Sequence, residues 1–316
     1  MSRIHEALKK AEEERGPVAP LQDIATAPAE PISTVPEWHT NAPAAGPAPV
    51  VEPEPLTALR SGYLRFEDLR ANCAHPEWRP DLTRNVFFNP DLAPNAAEQF
   101  RTLRSRLYQL RDHLTLRTVL ITSSEAGEGK TFVASNLAQA IVRQSDRRVL
   151  MIDADLRCAR LHTVMGAPSQ PGLTDYLRGE TDETGIIQQG PEGNFCLIPG
   201  GTEVTNPSEL LSNGRLQHLL NRVTPIFDWI ILDSPPCLPV ADASILANLC
   251  DGVLLVVRAT TTSAEIAQRA SQELKDKKLL GVVLNAVKKE DGSYGAYYAE
   301  GYGNLYEQKE LKDSPN

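Results

Sequence analysis

The 316-residue sequence has no apolar run near the roughly 18 residues needed to cross a bilayer. Its first segment, Met1–Arg15, is rich in charge where a secretory signal is apolar, so a cytoplasmic location is expected. The five cysteines, Cys73, Cys158, Cys196, Cys237 and Cys250, include no C-x-x-C pair. That argues against a zinc site or a disulfide framework and for reduced, scattered thiols. Basic residues are also short: the formal net charge is -9. Gripping nucleic acid takes an excess of Lys and Arg to neutralise phosphates, so no nucleic-acid partner is expected.

With 41% hydrophobic and 23% charged residues, the composition is that of a globular protein, but it is unevenly distributed. Ile4, Ala7, Leu8 and Ala11 fall at helical spacing, which makes residues 1–15 a short amphipathic helix suited to a partner or a membrane surface. Residues 16–59 are rich in Pro, Ala, Glu and Thr, from Pro17 to Pro55, and read as a disordered linker. Residues 60–94 read as a poorly defined extended segment: Phe66, Trp78, Phe87 and Phe88 are packing candidates, but prolines interrupt every period. A folded domain is expected over 95–287, and a mobile Tyr-rich tail over 288–316.

Within the domain, Glu98–Leu110 carries an apolar stripe of Phe100, Leu103, Leu107 and Leu110, and strands then alternate with helices. Strands are expected at Thr118–Thr122, Arg148–Ile152, Phe195–Ile198, Trp229–Leu232, Gly252–Val257 and Gly281–Leu284. Helices are expected at Lys130–Val142, Pro207–Arg222, Ala241–Leu249 and Thr262–Lys275. Several strands are apolar throughout, as in a parallel sheet covered on both faces. The fold class expected is α/β, a doubly wound, mostly parallel sheet.

One loop carries chemistry. Ser123-Ser124-Glu125-Ala126-Gly127-Glu128-Gly129-Lys130-Thr131 follows an apolar strand and opens a helix. Glycines let backbone N–H groups turn inward around a phosphate, and the helix N-terminus adds a positive dipole end. Lys130 supplies charge to the β- and γ-phosphates of ATP, and the Thr131 hydroxyl is placed for Mg²⁺. The usual G-x-x-x-x-G-K-[ST] pattern has Gly where this chain has Ser124. Ala126, Gly127, Glu128, Gly129, Lys130, Thr131 and Phe132 are the candidate ATP-binding residues of the loop. Two more strands end in carboxylates, as Asp153-Ala154-Asp155-Leu156-Arg157 and as Asp233-Ser234-Pro235-Pro236. Ligands of open α/β sheets collect at such strand ends, and Mg²⁺ takes hard oxygen ligands of this kind. Thr131, Asp155 and Asp233 are therefore the candidate metal residues.

Together with Glu98-x-x-Arg101-x-x-Arg104, Pro199-Gly200-Gly201, Asn206-Pro207-Ser208-Glu209-Leu210-Leu211 and Gly281-Val282-Val283-Leu284-Asn285, these motifs resemble the bacterial tyrosine kinases. That family comprises the autokinases of capsule and exopolysaccharide synthesis, and the match runs from about Glu98 to the C-terminus. The resemblance implies a P-loop fold of the deviant Walker type, with ATP and Mg²⁺ as cofactors. It implies Asp153 as the base that accepts the tyrosine proton, beside Lys130 as a catalytic charge, and a contact from Asn285 to adenine. It implies a ring-like homo-oligomer joined through Glu98, Arg101 and Arg104, with the tail tyrosines Tyr294, Tyr297, Tyr298, Tyr302 and Tyr306 as phosphoacceptors of a neighbouring subunit. A separate membrane activator of the chain-length-regulator type and a protein-tyrosine phosphatase are the further partners implied. H-R-D and D-F-G segments are absent, which separates the chain from eukaryotic-type kinases. Two alternatives stay open at this point. One is a cell-division or partition-type ATPase, whose signature lysine would stand where this chain has Glu125. The other is a nucleotide-gated adaptor without catalysis.

Overall fold

The computed structural model describes residues 64–89, 95–144 and 146–287. The amphipathic segment 1–15, the linker 16–59 and the tyrosine cluster from Tyr294 to Tyr306 lie outside the described residues.

The domain is built on a seven-stranded sheet. Its strands are β1 (Thr118–Ser123), β2 (Val149–Asp153), β3 (Gln188–Gln189), β4 (Phe195–Ile198), β5 (Trp229–Asp233), β6 (Gly252–Arg258) and β7 (Leu279–Asn285). The order across the sheet is β3-β4-β2-β5-β1-β6-β7, and every pairing is parallel except β3 with β4. Strands β1, β2, β4 and β5 are buried at every position, so their apolar side chains need cover on both faces.

Helices supply that cover: α1 (Phe66–Asn72), α2 (Ala96–Arg111), α3 (Lys130–Val142), α4 (Leu161–Met165), α5 (Leu173–Arg178), α6 (Glu183–Ile186), α7 (Pro207–Leu211), α8 (Arg215–Val223), α9 (Asp242–Ala247) and α10 (Ala264–Glu273). One core holds Val119, Ile121, Met151 and Ile231 of the strands against Leu137, Ile141, Phe100 and Leu107 of α3 and α2. The opposite core holds Leu120, Ile152, Leu232 and Leu255 against Leu216, Leu219, Leu246 and Ala270.

Two expectations are corrected. Residues 64–89, expected as a poorly defined segment ahead of a domain starting at Asn95, fold onto the domain instead. Phe66 and Leu69 of α1 are buried, and Phe66 meets Phe227 edge-on at 5.6 Å. Ala74 bridges to Gln188 at the sheet edge, and Trp78 packs edge-on against Phe195 at 5.5 Å. Asn85 donates to the Val164 carbonyl at 2.8 Å and accepts from Gln139 at 2.6 Å. The anchors are single aromatic and amide side chains, so no period betrays them. The helix expected over Pro207–Arg222 is two helices, broken at Gly214, whose φ of 82° lies in the left-handed region that favours glycine. The short elements α4, α5, α6 and β3 were not foreseen at all.

Candidate functional site

The order β2-β5-β1 places the three motif-bearing strands side by side. Asp153 and Asp233 are register partners at the ends of β2 and β5, and Ile121 of β1 pairs with Asp233 on the other side. The loop after β5 is stitched to β1 by Ser234 N–H to Ile121 O at 3.1 Å and Thr122 Oγ1 to Pro235 O at 2.8 Å. Adjacent strands thus bring residues far apart in sequence to one end of the sheet.

The phosphate loop has the required backbone. Gly127 (φ 84°) and Gly129 (φ 96°) are both in the left-handed region, and Gly129 directly precedes α3. A side chain at Gly129 would also collide with Asn285, since its Cβ would lie 2.1 Å from Nδ2. Glu128 turns its carboxylate inward rather than toward a ligand. It is buried, accepts from Glu125 N–H at 2.7 Å, and is bonded by the Thr262 hydroxyl. Arg258 donates to Gly127 O at 3.0 Å, and Asn285 Nδ2 donates to Glu128 O at 2.8 Å. The ends of β6 and β7, with Thr262 just after β6, therefore clasp the loop from outside. Ala126 is exposed, while Phe132 packs edge-on against Phe100 of α2 at 5.7 Å. Ser124, in the place of the usual glycine, is fully buried, and its hydroxyl has no hydrogen-bond partner.

Lys130 Nζ pairs with Asp155 Oδ2 at 2.8 Å, and Thr131 Oγ1 donates to Asp233 Oδ2 at 2.6 Å. Burial by itself pulls the Lys130 pKa down, but Asp233, Asp155 and Asp153 together hold it above its ordinary value, so the ammonium stays charged. Asp233 moves the other way: burial pushes it up to about 6 against the opposing pull of Lys130 and Thr131. Asp153 is raised well above its ordinary value, first by burial and then by Asp233. Its Oδ2 accepts from Arg160 N–H at 2.9 Å and Leu161 N–H at 2.8 Å, at the start of α4. Its Oδ1 and the Oδ1 of Asp233 are buried without a hydrogen-bond partner.

These observations test the fit for Mg²⁺. Three carboxylates act on one ammonium, and two of them keep a buried oxygen with no donor. Such a site gains from a hard divalent cation. Among the described residues no group of three or more His, Cys, Asp or Glu side chains could hold a metal ion unaided. Mg²⁺ usually keeps waters and takes part of its shell from substrate phosphates, so this sparse donor set suits it.

A neighbouring cluster was missed in the sequence. Arg157 forms a two-pronged pair with Asp242, 2.7 Å and 3.1 Å, and reaches Ser208 Oγ at 2.9 Å. Asp242 is fully buried and also accepts from Ser208. The D-x-D-x-R and N-P-S-E-L-L segments are thereby tied to α9. Asp242 belongs to no motif that would have marked it.

A family model described as an AAA domain matches residues 116–278. The tyrosine-protein kinase YwqD of Bacillus subtilis is 35% identical over 219 residues, covering 69% of this chain and 92% of that protein. The chain belongs to the bacterial tyrosine kinase family. A second relative, the tyrosine-protein kinase etk of Escherichia coli K12, is 35% identical over 234 residues. The match covers 72% of this chain and only 32% of that longer kinase. The solved kinase domain of Escherichia coli tyrosine kinase ETK superposes with a TM-score of 0.63 at 33% identity, across 70% of this chain and 86% of the other.

In this member of the bacterial tyrosine kinases, Glu98, Arg101 and Arg104 are not equivalent. Glu98 and Arg101 form an exposed pair at 3.0 Å, whereas Arg104 turns inward to the Ala140 carbonyl of α3. Asn285, expected to contact adenine, touches the backbone of the phosphate loop through Glu128 O. Among the described residues no helix is long and apolar enough to cross a membrane.

Proposed function

We propose that this chain is an ATP-dependent protein-tyrosine autokinase. It transfers the γ-phosphoryl group of ATP to tyrosines of its C-terminal cluster, Tyr294, Tyr297, Tyr298, Tyr302 and Tyr306. The observation that carries the reading is the group of three carboxylates around Lys130, two of them with an unpartnered buried oxygen, at the mouth of the phosphate loop. Membership in the family supports the choice of tyrosine as acceptor, and five tyrosines between 294 and 306 supply it.

Lys130 exchanges its bond to Asp155 for the β- and γ-phosphate oxygens and neutralises charge there, where most phosphoryl-transfer catalysis lies. Thr131 and Asp233, with Asp155 directly or through water, would hold Mg²⁺, which would supply Lewis-acid stabilisation of the phosphates. Asp153 takes the proton of the attacking tyrosine hydroxyl. A carboxylate raised by burial and by a neighbouring acid is a stronger base than a free one, which suits a phenol of pKa near 10. The loop amides from Ala126 to Thr131 orient the phosphates at the N-terminus of α3.

The transfer runs in trans inside a ring-like homo-oligomer, with the Glu98–Arg101 pair on its contact surface. A membrane protein of the chain-length-regulator type activates it, a tyrosine phosphatase resets it, and the cycle controls exopolysaccharide export at the inner face of the membrane. Peptide-level mass spectrometry after incubation with Mg-ATP tests the central claim. Phosphate on the 294–306 cluster of the wild type, and none in Lys130→Met, is the expected result. A bare wild-type tail, with and without the membrane activator, would overturn the kinase reading in favour of a nucleotide-gated adaptor.

A further inference from the structure

The end of the sheet opposite the phosphate loop carries a second group of charged residues that the ATP chemistry does not use. Strand β1 runs from Thr118 toward that loop, so the turn before it lies about 20 Å away, the length of six strand residues. Residues 111–117 line a cleft of about 430 Å³ here. Two guanidiniums belong to it, and each is fixed through Nη1 by a main-chain carbonyl. Arg111 donates to Asp228 O at 3.1 Å, and Arg117 donates to Thr224 O at 3.0 Å. Among the described residues neither pairs with a carboxylate. The acids close by are engaged otherwise: Asp228 accepts from Arg147 at 3.4 Å and from Arg148 N–H at 3.0 Å, and Asp251 accepts from the Arg117 and Thr118 amides at 2.9 Å. Asp112, also in the lining, is exposed. Burial, and next the like charge of Arg117, hold the Arg111 pKa below its ordinary value. Thr115 and Leu116 complete the lining, and their main-chain amides donate to no other described group.

We propose that this cleft binds a phosphate group, clamped between Arg111 and Arg117 and presented by an anionic lipid headgroup. Two neighbouring guanidiniums with no counter-carboxylate suit a tetrahedral oxyanion, which takes forked hydrogen bonds from arginine. Leu114 argues for lipid as the source of the phosphate. It lies between the two arginines in the lining and is 50% exposed, one of five large apolar side chains so exposed among the described residues. An apolar side chain flanked by cations fits a loop seated at an acidic membrane surface. The position agrees: a bilayer at this end leaves the phosphate loop, at the other end of β1, open to nucleotide. Neither the cleft nor its ligand depends on the kinase reading.

Co-sedimentation of the full chain with vesicles of phosphatidylcholine and phosphatidic acid tests the proposal, with pure phosphatidylcholine vesicles as the control. The wild type should bind the acidic vesicles about tenfold more tightly than Arg111→Gln/Arg117→Gln. Soluble glycerol 3-phosphate supplies a second arm. Arg111 lies 5.0 Å from the centroid of the Trp229 ring, so filling the clamp should change the tryptophan fluorescence of the wild type but not of the double variant. Leu114→Ser, at an exposed position, should weaken vesicle binding and keep that fluorescence response. A fluorescent-ATP titration, unchanged in every variant, shows that the fold is kept. Equal binding of acidic vesicles by the wild type and the double variant overturns the proposal, because the membrane attraction then lies elsewhere in the chain. A response to glycerol 3-phosphate without vesicle binding overturns the lipid and assigns the clamp to a soluble phosphate. No response in either arm overturns the clamp itself.

Discussion

Replacing Asp233 by Asn should make the nucleotide-free protein more stable near neutral pH while destroying its ability to use Mg-ATP. Asp233 is buried to 1% exposure, and burial lifts its pKa from 3.8 to about 6. The folded state therefore holds a proton on this group where the unfolded chain has released it. Its contribution to stability is complete below about pH 3.8 and is lost as pH rises through about 6. A rise of about two units, at about 1.4 kcal/mol each, corresponds to about 3 kcal/mol of stability lost above pH 6. Asparagine does not ionise, so the variant escapes that loss, while its side-chain oxygen still accepts from the Thr131 hydroxyl.

Lys130 gives up one of its three acids in the exchange but keeps its 2.8 Å partner Asp155, so the net gain should be about 2 kcal/mol. For a domain of this size that is a rise of about 4–8 °C in Tm. Thermal or urea unfolding of both proteins at pH 7.5 and at pH 4 reads the effect. The variant should be the more stable at pH 7.5, and the two should converge at pH 4. Saturating Mg-ATP should raise the Tm of the wild type alone, by mass action on the folded state. A variant no more stable than wild type at pH 7.5, or a difference that does not change with pH, would refute the electrostatic reasoning.

Gly129→Ala combines a left-handed φ with a collision at Asn285, so nucleotide affinity should fall by about tenfold or more in a fluorescent-ATP titration. Glu128→Ala removes the buried acceptor of Glu125 N–H and the Thr262 hydroxyl; unfolding should show a loss of about 2 kcal/mol, with weaker ATP binding. Trp78→Ala vacates the contact with Phe195, and the same unfolding assay should show a loss of about 3 kcal/mol, with a larger loss in a chain that begins at Asn95 and so lacks Phe66 and Leu69 as well. Asp242→Ala strands Arg157 and Ser208; because Arg157 is partly open to solvent, the loss should sit near about 2–3 kcal/mol, measured by urea unfolding at pH 7.

The six longer strands and α3 were legible because their apolar runs are continuous and because the phosphate loop marks where α3 begins. Lys130, Thr131, Asp155 and Asp233 were legible for the same reason: each sits at a strand end or helix start that periodicity had located. The missed elements have a common cause. Helices α4, α5 and α6 have four to six residues, too few to show a helical period, and α4 is held in part by Asp153 bonding its first amides. The strap over 64–89 is anchored by isolated residues such as Trp78 and Asn85, which no pattern links. Glu128 was foreseen as a nucleotide-loop residue, but nothing in G-E-G-K-T says that its carboxylate faces inward. Arg258, Thr262 and Asp242 act only through tertiary neighbours, so reading along the chain cannot find them.

The adjacency of β2, β5 and β1 has an evolutionary consequence. Spacing between Asp153, Asp233 and the phosphate loop is set by interstrand hydrogen bonding, near 4.8 Å per step, and not by the chain that connects them. Of the 77 residues between Asp155 and Asp233, those of α5 to α8 can therefore lengthen, shorten or diversify without moving the reacting groups. Selection on partner choice and selection on phosphate chemistry act on separable parts of one domain.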